Sequence, residues 1–221
     1  MNRAPNFDRL ARIYRWLELA SFGGALGRCR CYFLNELSEC RKALVLGDGD
    51  GRFTERLLET NAEILVDAVD ASPAMLRELA HRAGEHRGRV RTFCADVRRW
   101  EPVAQSYDLV VSHFFLDCLT TEEVGVLARR LHGSISPEAH WLISEFAVPP
   151  DWFGRMVAQP VVSGLYAAFG LLTDLPVSRL PDFAQIFEKE RFTCQKRQAF
   201  LHGLLASELW SARDVELLHS C

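Results

Sequence analysis

Three observations in the sequence predict an α/β fold, a doubly wound, Rossmann-like sheet of seven strands. Between residues 43 and 146 short apolar runs alternate with segments of helical period. The run Tyr107–Ser112 is nearly all apolar, as a strand covered on both faces requires. The chain then closes on two strand-like runs separated only by Leu201-His202, which predicts an antiparallel hairpin added to a mostly parallel sheet. Parallel neighbours need a long crossover, and helices between the strands supply it.

In order along the chain, Leu10, Ile13, Tyr14 and Leu17 fall at helical spacing, and residues 27–37 are compatible with a second helix, giving a helical preface. Ala43–Leu46 is a short apolar strand ended by Gly47-Asp48-Gly49-Asp50-Gly51, after which Phe53, Leu57 and Leu58 resume the helical period. Ile64–Asp70 is a second strand that ends in an acid. Ser72-Pro73 opens a helix through Ala83, with serine at the N-cap and proline at the first helical position. Arg89–Cys94 and Tyr107–Ser112 are the third and fourth strands. A helix over Thr121–Leu131 begins at Thr120-Thr121-Glu122-Glu123, which supplies a cap and first-turn acids. His140–Phe146 is the fifth strand. An apolar, helix-compatible insertion over Pro149–Leu172 follows, then a short helix over Pro181–Glu190 and the strands Phe192–Phe200 and Gly203–Trp210. No repeat, low-complexity tract or linker divides the chain, so a single domain over residues 1–221 is expected. Its parts are a preface (1–40), a core (41–147), a helical insertion (148–190) and a terminal hairpin (191–210).

Composition narrows the class. The chain has 221 residues, 48% hydrophobic and 25% charged, with 26 Lys+Arg against 29 Asp+Glu and a net charge of -3, which excludes disordered and fibrous classes. With no long basic run, nucleic acid is not an expected partner. The seven cysteines are scattered and odd in number, so they read as free thiols, and Cys29, Cys31 and Cys40 lack a second ligand pair at metal-site spacing. Asp48-x-Asp50-Gly51 is not a calcium loop, because Arg52 and Phe53 follow where oxygen ligands are required. No metal is expected. The stretch from Met1 to Asp8 has no apolar secretory core, so a cytoplasmic location is expected. Met156–Leu172 carries no charged residue but is interrupted by Gln159, Pro160, Ser163 and Gly164 and is short for a bilayer, so no membrane insertion is expected.

The glycine loop between first strand and helix lets backbone amides and the positive helix end come close to a ligand. Its glycines at 47, 49 and 51 give G-x-G-x-G rather than the G-x-G-x-x-G of a dinucleotide site, because position 52 is arginine. Asp70 lies 19 residues past Gly51 at a strand end, where a carboxylate can accept both hydroxyls of a ribose. Asp96, just past the third strand, would sit on the adenine side of the same crevice. Taken alone each acid is a solvated strand-end carboxylate; their order behind the glycine loop favours a nucleoside cofactor.

Three stretches, Ala43–Gly51, Val69-Asp70-Ala71-Ser72-Pro73-Ala74-Met75-Leu76 and Cys94-Ala95-Asp96-Val97, together with Tyr107–Phe114, resemble the successive cofactor motifs of class I S-adenosylmethionine-dependent methyltransferases. The likeness covers residues 7–210, and Phe7–Tyr14 resembles the opening of the quinone-biosynthesis branch. The resemblance implies a cofactor, S-adenosylmethionine, held by Gly47, Asp48, Gly49, Asp50, Gly51, Asp70, Ala71, Ser72, Met75, Asp96, Val97, Ser112 and His113, with Tyr14 as a cover. The family's usual acid two residues before the first glycine is Val45 here, so Asp48 or Asp50 is expected to meet the cofactor's ammonium. The resemblance also implies transfer of a methyl group to a small acceptor. The insertion, with Trp152, Phe153, Tyr166 and Phe169, would line the acceptor pocket and suit a hydrophobic or aromatic molecule. His113 and Asp117, just past the fourth strand, are the first and second candidates for a base, although a histidine in that place is more often a wall residue. An NAD-dependent oxidoreductase and a non-catalytic cofactor-binding protein remain as alternatives.

Overall fold

The structure, a computed structural model, describes residues 24–102, 107–164 and 183–212. Helix α1 (Ala25–Cys31) and a 3-10 turn (Leu34–Leu37) lead into β1 (Lys42–Leu46), α2 (Arg52–Thr60), β2 (Leu65–Asp70), α3 (Pro73–Arg82) and β3 (Val90–Cys94). Then come β4 (Tyr107–His113), α4 (Thr121–His132), β5 (Ile135–Phe146), a helix α5 described over 152–164, α6 (Phe183–Lys189), β6 (Phe192–Phe200) and β7 (Leu205–Ala212). The seven strands form one sheet, as the sequence predicts, and their order in it is β3-β2-β1-β4-β5-β7-β6. Pairs from β3 to β5 are parallel, while β7 is antiparallel to both β5 and β6.

Period-two alternation explains the two buried faces. In β1, Ala43 and Val45 join the cluster under α2 and α3 that includes Phe53, Leu57, Leu58 and Leu79. Leu44 and Leu46 join the opposite cluster with Trp141, Phe187 and the α4 residues Val124, Leu127 and Leu131. A third cluster, built from α1, α5 and the hairpin turn, contains Ala25, Leu26, Phe114, Phe146, Val162 and Leu205.

Both helix starts read from sequence are present. The Ser72 hydroxyl accepts the Met75 amide at 3.3 Å, with Pro73 first in the helix. Thr120 and Glu123 form a reciprocal capping box, Glu123 N–H to Thr120 at 3.2 Å and Thr120 N–H to Glu123 at 2.9 Å. Three boundaries differ. The second preface helix is broken into α1 and the 3-10 turn. Strand β5 starts at Ile135 rather than His140, and its early part passes a register irregularity opposite Tyr107 and Leu109, which makes room for Pro137 in a strand. The hairpin turn is longer than two residues: Leu201 and His202 take positive φ of 48° and 55°, and β7 begins at Leu205. The helix expected around Leu10 to Leu17 lies outside the described residues.

Two polar devices fasten the sheet. Asn61, 4% exposed, donates to the carbonyls of Leu37, Ser38 and Cys40 and accepts the amides of Glu63 and Ile64, so one side chain ties the preface to the start of β2. Asp67, mid-strand in β2, receives Arg91 of β3 through two bonds of 2.7 and 2.6 Å and the Tyr107 hydroxyl of β4 at 2.8 Å. Among the described residues no helix is long and apolar enough to cross a membrane.

Candidate active site

The candidate site lies along the carboxyl ends of β1, β2, β3 and β4, where ligands bind in open α/β sheets. Gly47, Gly49 and Gly51 all have positive φ (63°, 61° and 81°), a conformation that disfavours side chains, but they differ in what surrounds them. A Cβ on Gly47 would overlap the Phe115 ring, and one on Gly51 would stand 2.7 Å from the Cα of Leu79, so both glycines permit close packing of the loop. Among the described residues a Cβ on Gly49 would meet only the Met75 sulfur, at 3.8 Å. Gly49 is therefore the glycine of the three with room beside it among the described residues, just before α2.

The two loop acids are partly engaged. One oxygen of Asp48 accepts both the amide (2.8 Å) and the hydroxyl (2.6 Å) of Thr54, which ties the loop to the start of α2, and burial pushes the carboxyl pKa up. Asp50 pairs with Arg52 at 3.0 Å and Arg82 at 3.2 Å. Of the two acids expected to meet an ammonium, Asp50 is thus neutralised by arginines, and Asp48 keeps one oxygen without a bond to Thr54.

Asp70 ends β2 beside them and accepts the Ser72 amide at 2.7 Å. Burial, aided by the charge of Asp48, pushes its pKa up to about 6, although the Ser72 and Gly49 amides both bond the carboxyl and oppose the shift. Asp96 is placed past β3 as expected, but Arg98 donates to both of its oxygens (2.9 and 3.1 Å); burial opposes the effect, yet Arg98 holds the carboxyl below its usual range. Ala71 offers a carbonyl to the Cys94 thiol at 3.8 Å, and Val97 is buried in the core. Ser72 and Ser112 serve the fold: the first caps α3, and the second is fully buried and accepts the Trp141 indole N–H at 2.9 Å.

Past β4 the chain bends sharply at Phe114, a non-glycine residue with φ of 50° whose amide donates to the Ser144 carbonyl at 2.7 Å. His113, just before the bend, is 4% exposed and stands edge-on to Phe53 with ring centroids 4.5 Å apart. Neither ring nitrogen has a hydrogen-bond partner, and burial, helped by Arg30, holds the pKa well below the usual value, so the ring is neutral. Asp117 lies in the short 3-10 turn beyond, and burial pushes its pKa up to about 6. The sequence reading missed Glu145. Its Oε1 accepts the amides of Phe115 and Leu116 at 3.0 and 2.8 Å, and burial together with Asp117 raises its pKa well above the usual range. The available signal was an acid in the apolar strand end Leu142-Ile143-Ser144-Glu145-Phe146.

The expected acceptor lining divides. Phe153 packs against the third core cluster and lies 5.3 Å from the His202 ring. Trp152 does not line a pocket: it is 69% exposed, because helical geometry turns it away when Phe153 points inward. Tyr14, Tyr166 and Phe169 lie outside the described residues.

Comparison with known proteins agrees with this geometry. Residues 43–138 match the family model described as a methyltransferase domain. Trans-aconitate 2-methyltransferase of Streptomyces avermitilis is 32% identical over 125 residues, 50% of this chain and 46% of that protein. The human N-terminal Xaa-Pro-Lys N-methyltransferase 1 is 33% identical over 104 residues, 47% of this chain and 46% of that protein. The chain thus spans about half the length of these curated relatives. Among solved structures, an O-methyltransferase family protein from Burkholderia thailandensis superposes with a TM-score of 0.71 at 15% identity, covering 96% of this chain and 62% of that one. The N-methyltransferase NodS of Bradyrhizobium japonicum gives 0.61 at 14% identity, covering 86% of this chain and 97% of that one. Residues 43–138 are thus similar to a methyltransferase domain, and the sheet shares its fold with these solved methyltransferase structures.

Proposed function

We propose that the protein transfers a methyl group from S-adenosylmethionine to a small acceptor with a hydrophobic or aromatic body. The observation that carries this reading is the juxtaposition of Gly49, which has room beside it among the described residues, with Asp70, a half-buried strand-end carboxyl able to accept ribose hydroxyls. The cofactor, when bound, supplies a methyl on an electrophilic sulfonium, so the chain's work is alignment and exclusion of water, which can be worth several kcal/mol, on the order of 7–11 in favourable cases. The preface (1–40) and the insertion (148–190) are the segments we assign to covering the site. A neutral, buried His113 packed on Phe53 supports a wall role; Asp117, with its raised pKa, is the better-placed acid of the pair to take a proton.

Titration calorimetry with S-adenosylhomocysteine and with NAD tests the cofactor: the first is expected to bind, and binding of NAD alone would overturn the reading. Asp70→Ala is expected to weaken S-adenosylhomocysteine by about 1–3 kcal/mol, because ribose hydroxyls lose a charged acceptor. The parent's affinity is expected to be flat above about pH 7 and to fall as pH drops through about 6, where Asp70 takes up a proton and no longer accepts two hydroxyls. Calorimetry across that range checks it, and the fall is expected to be absent in the alanine variant.

The apolar acceptor rests on the third core cluster, where Phe114 and Phe146 stand 5.3 Å apart beside Phe153. Phe153→Ala is expected to lower acceptor affinity by about 1–3 kcal/mol through lost apolar burial, leaving S-adenosylhomocysteine binding unchanged. Trp152→Ala, at an exposed position, is expected to change neither. Turnover distinguishes this reading from a cofactor-binding protein without activity.

A further inference from the structure

Glu145, at the end of β5, and Asp117, in the turn after β4, are neighbouring acids, the first buried and the second half-buried. Glu145 is 4% exposed, and its orientation is fixed: Oε1 accepts the amides of Phe115 and Leu116, and the Asp117 amide also donates to the carboxyl. Its second oxygen, Oε2, is buried and has no hydrogen-bond partner among the described residues, while one oxygen of Asp117 accepts the Cys118 thiol at 3.5 Å. Among the described residues no lysine or arginine forms an ion pair with either acid, whereas Asp48, Asp50, Asp67 and Asp96 each have an arginine beside them or a hydroxyl donor bonded to them. The strongest charge acting on Glu145 is that of Asp117, a second acid. Two carboxyls on one turn, one buried and the other half-buried, and without a cation among the described residues, are costly unless a proton or a positive ligand joins them.

We propose that the Asp117–Glu145 pair is the acceptor-recognition site and that it selects an acceptor carrying a basic amine. The inference rests on the methyltransferase reading above and deepens it by naming the substrate class. An ammonium supplies the missing cation: its N–H bonds satisfy Oε2 of Glu145 and the free capacity of Asp117. For transfer, the ammonium gives one proton to the carboxyl pair and becomes a neutral amine. The nitrogen lone pair then forms the new N–C bond as the methyl carbon's bond to sulfur breaks, with that electron pair remaining on sulfur. The products are S-adenosylhomocysteine and a methylated ammonium, which leaves still charged, and the carboxyl pair resets by passing the proton it took to solvent. An uncharged alcohol or an anionic carboxylate offers the pair no cation, and the carboxylate adds a third negative charge.

The experiment uses the full chain loaded with S-adenosylhomocysteine and measures binding of phenethylamine, phenethyl alcohol and phenylacetate, three probes of one apolar body. Methylation of the same three compounds is followed with S-adenosylmethionine. Phenethylamine is expected to bind at least tenfold more tightly than the other two and to give the N-methyl product. Glu145→Gln keeps an oxygen for the loop amides, and both it and Asp117→Asn are expected to weaken the amine at least tenfold without changing the alcohol. Circular dichroism checks folding, and Asp117→Asn carries the test alone if Glu145→Gln does not fold. Equal binding of amine and alcohol, failure of the amine to bind, or equal weakening of both ligands in the variants overturns the inference. Absence of S-adenosylhomocysteine binding in the parent overturns instead the cofactor reading, so the two failures are separable.

Discussion

Gly49→Val is expected to abolish S-adenosylhomocysteine binding, a loss of more than a hundredfold, in a protein that stays folded. A Cβ at this position meets only the Met75 sulfur at 3.8 Å, so the added methyls enter the space assigned to the cofactor rather than the core. The positive φ of 61° makes any side chain strained there, at about 1–3 kcal/mol, which a domain of this size with its core intact tolerates. Gly51→Val is the control with the opposite signature. There the side chain runs into the Leu79 backbone, and loss of stability is expected to precede any binding defect. Calorimetry paired with thermal unfolding separates the two, and unfolding of the Gly49 variant at room temperature would show that this glycine serves packing.

The second large effect concerns stability. Asp67→Ala is expected to lower the unfolding free energy by about 2–4 kcal/mol, because it strands the Tyr107 hydroxyl inside the sheet and removes the carboxylate that two Arg91 bonds hold. The Arg91 side chain is 63% exposed, so the arginine pair is the smaller part. Asp67→Asn, which keeps an acceptor for Tyr107, is expected to lose about half as much. Burial opposes ionisation of Asp67, but Arg91 and Tyr107 outweigh it and hold the folded pKa below the unfolded value. Its contribution is therefore full at neutral pH and is lost as pH falls below about 4. Denaturant melts at pH 7 and in acid check this, with S-adenosylhomocysteine affinity at pH 7 expected to be unchanged because Asp67 sits three residues from the crevice end of β2.

The succession of strands and helices was legible in the sequence because the strands that carry the site are short, mostly apolar and followed by unambiguous punctuation. Gly47 to Gly51, Ser72-Pro73 and Thr120 to Glu123 are local signals whose physics needs no tertiary partner, and the structure has a turn or cap at each. The acids were harder. Asp70 and Asp96 were found from position alone, but that Arg98 engages Asp96, whereas Asp70 is bonded by the Ser72 and Gly49 amides and raised by Asp48, depends on how the loops fold together. Glu145 was invisible for a further reason: alternation marks it as an inward-facing strand residue, and only the bend at Phe114 brings the amides of Phe115 and Leu116 onto its carboxyl. The acceptor was read as purely apolar because no acids cluster along the chain near the insertion; Asp117 and Glu145 are 28 positions apart and meet through strand pairing of β4 with β5.

The position of β7 has a consequence for how the chain is made. Strand β5 finds its outer neighbour in β7, the strand synthesised after β6, so during translation the long edge of β5 has no partner until β7 leaves the ribosome. An unpaired apolar edge is an invitation to other nascent chains. The finished sheet instead ends on β6, whose exposed Lys196 and Arg197 pair with Glu36 and Glu208 and put charge where β5 would have offered bare backbone. The hairpin is thus a late-arriving guard rail, and the interval before it docks is when this protein is most exposed to aggregation.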